Sequence, residues 1–293
     1  MWIVFALSAS LINAFYFLCM QNIKINAHIF MVYRGLIVTV ILLPILIFYP
    51  VKYSPTFYLM SVLQGCIVAY TDYLAFKANQ TYGSETVSSI LPLSVILVFI
   101  LWCFINPSTV LTYLENPLKT LCIIASLLGV IIALIKYQRT PLTKKAFIHL
   151  TPVLFLSALI SILNKLIMSY SGDNPLLCAC WRVFILSVII AFIHLNMYKA
   201  KHLPFKALID AKTLIKGSIF VLLILVLIFK SLAMLYTQNP AYVSCITYLA
   251  PVWIMLLSYQ FNILTFKKNH WQISKKYELL LVASIIVLVV LTH

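Results

Sequence analysis

The chain has 293 residues, of which 63% are hydrophobic and only 9% are charged, and its mean hydropathy is +1.06. A water-soluble domain of this size carries far more charge, so the composition excludes that class. The net charge of +15 would suggest a nucleic-acid partner in a soluble protein, but basic cytoplasmic loops give the same excess in a membrane protein. We therefore expect an integral protein of the lipid bilayer that binds no nucleic acid.

Ten apolar segments, each close to the length that crosses a bilayer, follow one another along the chain. They cover 2–20, 28–48, 57–78, 82–104, 118–136, 147–168, 176–195, 217–236, 240–262 and 278–292. None shows the alternation of barrel strands, so helices are predicted. The first segment lacks a basic flank and a small-residue cleavage site, so we expect a retained helix and no signal peptide. The predicted fold class is an all-α integral membrane protein with ten transmembrane helices.

An internal repeat divides these helices into two sets of five. The stretch HIFMVYRGLIVTVILLPIL aligns with PLLCACWRVFILSVII when Arg34 is placed on Arg182, and ETVSSILPLSVIL aligns with SCITYLAPVWIML when Pro92 is placed on Pro251. Because five is odd, the second set must enter the membrane from the opposite side. Inverted repeats of this kind are typical of secondary transporters, whose substrate site lies near the midplane between the repeats.

Further residue patterns occur along the chain, two of them at corresponding places in both halves. Those two are Arg34 and Arg182 early in the second helix of each half, and the run from Leu74-Ala75 to Pro92 with its partner LAMLYTQNPAYVSCITYLAP. The others are Asn164-Lys165 at the end of the first helix of the second half and Gly129-Val130 in the fifth helix. With these patterns the chain resembles the EamA-like family of the drug/metabolite transporter superfamily over essentially its whole length. It departs from that family by lacking a glycine in the tenth helix and the Gly-Glu pairs that follow the fourth and ninth helices.

The resemblance implies two EamA-like five-helix repeats, 1–136 and 147–293. It also implies a permease with a central cavity lined by helices of both repeats, which moves a small organic metabolite such as an amino acid or a nucleoside-like compound by alternating access. No cofactor is expected. The family's usual membrane is the plasma membrane, which is the inner membrane of a bacterium.

The basic residues are distributed unevenly between the two faces of the predicted bundle. One face has fourteen Lys and Arg and the other, which has both termini, has two. The fourteen are Lys24, Lys136, Arg139, Lys144, Lys145, Lys199, Lys201, Lys206, Lys212, Lys216, Lys267, Lys268, Lys275 and Lys276; the two are Lys52 and Lys119. Basic loops stay in the cytoplasm, so both termini are predicted outside. EamA-like proteins usually have cytoplasmic termini, and the charge pattern disagrees with the resemblance on this point.

Charged residues inside the apolar segments are costly and therefore indicate function. In the first repeat Arg34 and Asp72 both lie roughly 9 Å below the basic face, at about 1.5 Å of rise per residue. Lys77 and Glu85 lie nearer the same face. These four charges sum to zero, so we expect them to pair with one another.

The second repeat has embedded bases and no embedded acid. Arg182 and Lys230 are deep, Lys165 is shallower, and the nearest acid in this half is Asp173 in a loop. An unpaired Arg and Lys facing a wet cavity favour a substrate with a carboxylate or phosphate. Lys77 and Lys165 are near enough to a face to reach the interface with their side chains, which is the structural alternative.

Polar residues in the fourth and ninth helices complete the predicted substrate site. They are Ser88, Tyr242, Thr247 and Tyr248, and with Arg34, Asp72, Glu85, Arg182 and Lys230 they form the full set of candidates. The tyrosines offer a stacking surface and hydroxyl groups, whereas Ser88 could equally serve close helix packing. Pro92 and Pro251 are expected to kink their helices or to open the local backbone.

The sequence favours transport over the other functions of multi-span proteins. It has no HExxH, GxSxG or nucleotide-binding loop, and its six histidines lie near helix ends without partners in the sequence. An intramembrane lipid-modifying enzyme and a non-transport membrane protein remain the alternatives. Coupling to a proton through Asp72 or Glu85 and exchange of two metabolites both remain open, as does the oligomeric state.

Overall fold

The structure is a computed structural model that describes residues 1–20, 26–82, 87, 90–137, 144–200, 220–250, 252–253 and 275–292. Within these ranges it is 90% helical and contains no strand. The helical class predicted from the apolar segments is thereby confirmed.

The helices of the first half are separated by short turns. They are α1 (Trp2–Met20), α2 (Ala27–Phe48), α3 (Pro55–Tyr82), a 3-10 turn (Leu91–Leu93), α4 (Ser94–Ile105), α5 (Pro107–Glu115) and α6 (Pro117–Tyr137). The helices of the second half are α7 (Lys144–Met168), α8 (Pro175–Ala200), α9 (Phe220–Leu235), α10 (Pro240–Thr247) and α11 (Lys275–Thr292). Each of the ten predicted segments therefore contains helix.

Several of these helices are able to cross a membrane. Five of the described helices, α2, α3, α6, α7 and α8, are long and apolar enough, and the bent run from Leu91 to Glu115 would make a sixth. Large apolar side chains cover their outer surfaces, a pattern suited to lipid and not to water. Examples are Val40 (66% exposed), Leu59 (70%), Leu121 (67%) and Phe192 (65%). The chain is thus a multi-pass helical membrane protein.

The fourth predicted segment is not one continuous helix. The backbone around Pro92 forms a 3-10 turn, and the Ser94 hydroxyl donates to the carbonyl oxygen of Leu91 at 2.7 Å. This irregularity at Pro92 agrees with the prediction. At Asn106 the chain bends by 102° into α5, a short amphipathic helix that begins with Pro107. Hydropathy missed α5 because nine residues with two buried side chains, Thr109 and Tyr113, give no long apolar run.

A second break separates α9 from α10. The side chain of Asn239 caps α10 by accepting a hydrogen bond from the Ala241 amide at 2.9 Å. On the other side of the break, Lys165 Nζ donates to the carbonyl oxygens of Leu235 (3.1 Å) and Thr237 (2.6 Å), which have no helical partner there. Lys165 of α7 therefore satisfies the end of α9, and its role is local and structural.

The two halves of the chain pack mainly against each other. The most extensive helix contact is α2 with α8, followed by α1 with α9, α6 with α11, and α3 with α7 and α8. Smaller contacts join α4 with α7, α1 with α10, and α4 with α10. The helices of each half can be numbered one to five, with α4 and α10 as the fourth helices. The second, fourth and fifth helices of one half then each contact the helix of the same number in the other half. In addition, the first helix of each half contacts the third and the fourth helix of the other half.

The α2 and α8 helices cross closely and in opposite directions. His28 faces His194, and further along α2 Gly35 faces Ser187, which is earlier in α8, so the two helices are antiparallel. A Cβ atom on Gly35 would lie 2.6 Å from the backbone oxygen of Ser187 and 2.7 Å from Ala191 Cβ. Only glycine allows this approach, because the neighbouring atoms include backbone that cannot move aside.

The α6 and α11 helices repeat this arrangement. At one end of the pair, Thr120 of α6 and Leu291 of α11 line the same cavity. Gly129, which is later in α6, lies against Ser284, which is earlier in α11. These helices are therefore also antiparallel, again with a glycine at the point of contact.

Candidate functional site

A partly buried ion pair lies between α2 and α3. Arg34 donates from Nη1 to Asp72 Oδ2, and the two side chains are 10% and 29% exposed. The pairing expected from their equal depth is thus present. Among the side chains that the structure describes, Asp72 is the one acid that is not fully exposed, since Glu115 and Asp173 both face solvent.

Arg182 of α8 is buried more deeply than Arg34 and has no acid as its partner among the described side chains. It is 2% exposed, and its guanidinium donates to Gln64 Oε1 (2.8 Å), Ser231 Oγ (2.6 Å) and the carbonyl oxygen of Leu227 (3.3 Å). Its Nε–H is buried without a hydrogen-bond acceptor among the described residues. A cationic donor left unsatisfied in an apolar interior is costly.

Lys230 lies beside Ser231 on α9 and is half-buried. Its ammonium group has no hydrogen-bond partner among the described residues. Its charge interacts unfavourably with Arg182 and favourably with Asp72. Asp72, whose ion-pair partner is Arg34, therefore acts on this base of the second half only through space. The sequence did not predict this interaction, because it placed the two groups near opposite faces and considered Asp173 as the nearest acid.

The four charged residues correspond in pairs between the two halves. The alignment that places Arg34 on Arg182 has a continuation in which Leu74-Ala75 falls on Leu232-Ala233, and this continuation places Asp72 on Lys230. The ion pair of Arg34 and Asp72 thus has a counterpart made of two bases. Where the first half has the carboxylate of Asp72, the second half has the base Lys230, so the second half lacks the corresponding negative charge.

Two buried histidines lie close to the ion pair, and sequence reasoning missed them. His28 of α2 and His194 of α8 are 3% and 1% exposed, and their Nδ1 atoms are 3.3 Å apart. Tyr73 packs against both rings, at 4.8 Å from His28 and 5.9 Å from His194 between ring centroids. The sequence shows no partner for either histidine, because their contact joins residues 166 positions apart, a separation that sequence neighbours do not reveal.

The predicted polar residues of α10 contact other helices and are largely enclosed. The Tyr242 hydroxyl lies 2.6 Å from that of Tyr113, which also accepts from Asn239 Nδ2 at 3.1 Å. Tyr248, just past the end of α10, is hydrogen bonded to Ser94 Oγ at 2.9 Å. Thr247 is buried, and its hydroxyl donates to the carbonyl oxygen of Ser244 at 3.0 Å.

A small cavity of about 100 Å³ opens beside Tyr113 and Tyr242. Hydroxyl and amide side chains and one base, Lys119, line it, together with residues of α6 and the end of α11. Its volume holds a few water molecules. Lys119 is one of the two bases on the face with the termini, so the cavity lies at that end of the bundle. Tyr113, which sequence reasoning left in a loop, connects it to Tyr242.

Two candidate residues, Glu85 and Ser88, lie outside the described residues, as does Pro251. Lys77 is exposed, as expected for a side chain that reaches the interface. Of the nine candidates, Arg34 and Asp72 form an ion pair, and the charge of Lys230 acts through space on Asp72 and Arg182; we call these four residues the charge cluster. The structure places Tyr242, Thr247 and Tyr248 in the hydroxyl-rich region around α10.

No protein-family model matches the chain, and no curated protein matches its sequence. The resemblance to the EamA-like family therefore stays a prediction.

Proposed function

We propose that the chain is a secondary transporter of the EamA-like type that moves a small anionic or zwitterionic metabolite by alternating access. One observation carries the proposal: three bases and one acid, contributed by both halves of the chain, lie within an otherwise apolar helical bundle, where the charge of Lys230 acts through space on Asp72 and Arg182. A scaffold has little use for such an arrangement, because each charge removed from water costs several kcal/mol.

The packing supports two inverted five-helix repeats, 1–136 and 147–293, with ten transmembrane helices in all. Exchange of the two halves leaves the pattern of helix contacts nearly unchanged. The pairs α2 with α8 and α6 with α11 are both antiparallel, as a twofold axis in the membrane plane requires. A transporter built in this way holds its substrate between the repeats and exposes it to each side in turn.

The missing negative charge of the second half supports an anionic substrate. A carboxylate or phosphate bound by Arg182 Nε and Lys230 Nζ would take the place that Asp72 has beside Arg34. A planar guanidinium suits either group, and the low dielectric of the site strengthens the attraction. An amino acid or a nucleoside-like acid would meet this requirement, and its positively charged or neutral part could face Asp72.

The experiment that tests the proposal is uptake by the purified full chain in liposomes. A panel of radiolabelled metabolites that includes amino acids, nucleotides and simple carboxylates is offered to these vesicles and to protein-free vesicles. We expect saturable uptake of at least one acid, lost at least tenfold in Arg182→Ala and in Lys230→Ala. Uptake of amines alone, or of nothing in the panel, contradicts the proposal.

Lys77→Ala serves as the matched control, because Lys77 is an exposed helical lysine outside the charge cluster. It is expected to keep wild-type uptake. The alternatives, an intramembrane lipid-modifying enzyme and a non-transport membrane protein, gain support only if no member of the panel is carried and lipid products or a bound partner are found.

We also propose that the basic loops are cytoplasmic and both termini are outside, in the plasma membrane. The distribution of fourteen bases against two supports this orientation. A reporter that is active only in the cytoplasm, fused after His293, is expected to be inactive. Activity of the reporter would instead support the orientation usual in EamA-like proteins.

A further inference from the structure

Gln64 of α3 connects two helices of the second half. Its side chain is fully buried, and Oε1 accepts a hydrogen bond from Arg182 Nη1 of α8 at 2.8 Å. At the other end of the amide, Nε2 donates to the carbonyl oxygen of Ile160 of α7 at 3.0 Å. The guanidinium only donates and the carbonyl oxygen only accepts, so the two contacts fix which end of the amide faces Arg182. Gln64 therefore joins the first half to the proposed anion site, which is formed by Arg182 and Lys230.

The α3 helix contacts the corresponding arginines of both halves. Asp72 is eight residues after Gln64 and lies on the same side of the helix, about 12 Å further along at about 1.5 Å of rise per residue. At the level of Asp72, α3 presents a carboxylate to Arg34. At the level of Gln64, it presents a neutral amide oxygen to Arg182. The partners of the two arginines thus differ by one negative charge.

The neutral amide leaves the charge of Arg182 uncompensated. The other acceptors of its guanidinium, Ser231 Oγ and the carbonyl oxygen of Leu227, are neutral as well. No carboxylate of the described residues contacts it. Lys230 adds a second positive charge, which interacts unfavourably with Arg182. Hydrogen bonds to neutral groups orient a buried guanidinium but do not cancel its charge, so an anion from outside the chain is needed to compensate it.

We propose that Gln64 is the positioning residue through which the site selects negatively charged substrates. This inference rests on the proposed transport function. Glutamate at the same position would place a carboxylate oxygen where Oε1 lies, and it would pair with Arg182 as Asp72 pairs with Arg34. Much of the attraction for a substrate carboxylate or phosphate would then be lost. Gln64 instead holds the guanidinium in place and leaves its charge for the substrate.

A double-mutant cycle tests the contact without any substrate. The variants are Gln64→Glu, Arg182→Gln and the two combined, each purified as the full chain and unfolded thermally in a mild detergent. Glutamate has the size of glutamine, so the substitution changes little except the charge. We expect Gln64→Glu to lower the unfolding midpoint much more in the Arg182→Gln background, where the buried carboxylate has lost its base. Equal effects in both backgrounds would overturn the inference.

Gln238→Glu is the matched control for this cycle. It makes the same chemical change at an exposed glutamine on the end of the bundle that has the termini. We expect its effect on the midpoint to be small and the same in both backgrounds.

The selectivity itself is measured in the vesicles described above. The acid identified in the panel is compared with its uncharged amide, and kcat/KM is determined for each. We expect Gln64→Glu to lower the ratio of acid to amide by about tenfold or more, mainly through a higher KM for the acid. Gln64→Met has no oxygen but is also neutral, so it should slow both compounds and keep the ratio. A ratio that falls equally in both variants would refute a role of charge.

A carboxylate introduced from another helix provides an independent test. Ser231→Asp would place it against Arg182 Nη2 from α9, and it should lower the ratio of acid to amide in the same way. Size-exclusion profiles identify any variant that does not fold, and either of the two acidic variants suffices for the measurement. An unchanged ratio in a folded Gln64→Glu or Ser231→Asp protein would contradict the inference.

The readouts separate this inference from the proposed function. Uptake of no acid by the wild-type chain would refute the proposed function and with it the selectivity, whatever the cycle shows for the contact between Gln64 and Arg182. Uptake of an acid with the ratio unchanged in Gln64→Glu would refute the role of Gln64 alone.

Discussion

Substitution of Gly35 by alanine tests the close crossing of α2 and α8. The new Cβ would lie 2.6 Å from the Ser187 backbone oxygen, about 0.8 Å inside the 3.4 Å at which ordinary contact begins. Overpacking of this kind costs about 1–3 kcal/mol, and the better helix propensity of alanine offsets up to about 1 kcal/mol. We expect a net loss of about 1 kcal/mol, which changes the folding equilibrium about fivefold.

The assay is equilibrium unfolding of purified protein in a mild detergent mixed with increasing SDS, followed by tryptophan fluorescence. Ala191→Gly in the Gly35→Ala background removes one of the three tight contacts, that with Ala191 Cβ, and should recover part of the loss. Leu36→Ala, at an exposed position of the same helix, should change stability by less than about 0.5 kcal/mol. A Gly35→Ala protein as stable as wild type would refute the close crossing.

Three further substitutions test other contacts of the structure. Asp72→Asn leaves the Arg34 charge without its partner and should destabilise the protein by about 3 kcal/mol. The double variant Asp72→Asn with Arg34→Gln should recover most of this loss, and thermal unfolding of both proteins measures the two effects. Gly129→Ala should lower stability because its Cβ meets the Ser284 hydroxyl, and Ser284→Ala should partly restore it in the same assay; an unaffected Gly129→Ala protein would exclude the contact. Tyr242→Phe removes one buried hydrogen bond and should lower the stability by about 1 kcal/mol in SDS unfolding. Unchanged stability would show that the two hydroxyl groups are not hydrogen bonded.

Hydropathy was sufficient to predict where helices lie, because a bilayer leaves backbone polar groups no partners except those within a helix. It could not predict the breaks. The bend at Asn106 and the separate helix α5 depend on packing of Thr109 and Tyr113, and a nine-residue amphipathic helix has little signal of its own. Proline was the useful local signal, since the irregular turn at Pro92 follows from its missing amide hydrogen.

The candidate site was predictable in its charged residues but not in its connections. Depth along a helix was enough to predict the pairing of Arg34 with Asp72, because the two residues lie at the same depth in two helices that are consecutive in the chain. Depth does not show which helices of different halves touch. The through-space attraction between Asp72 and Lys230 and the contact between His28 and His194 both depend on helix packing between the halves. Such contacts leave no pattern in a single sequence.

The central claim is that the region between the two halves opens to each side of the membrane in turn. Ser231, which contacts Arg182 in the charge cluster and is fully buried, can test this claim as Ser231→Cys in a chain whose native cysteines are replaced. A membrane-impermeant thiol reagent is added to one side of oriented vesicles at a time, with and without the transported acid. The account predicts labelling from both sides and a change in their ratio when the acid is present. Labelling from one side only, unaffected by the acid, would contradict it.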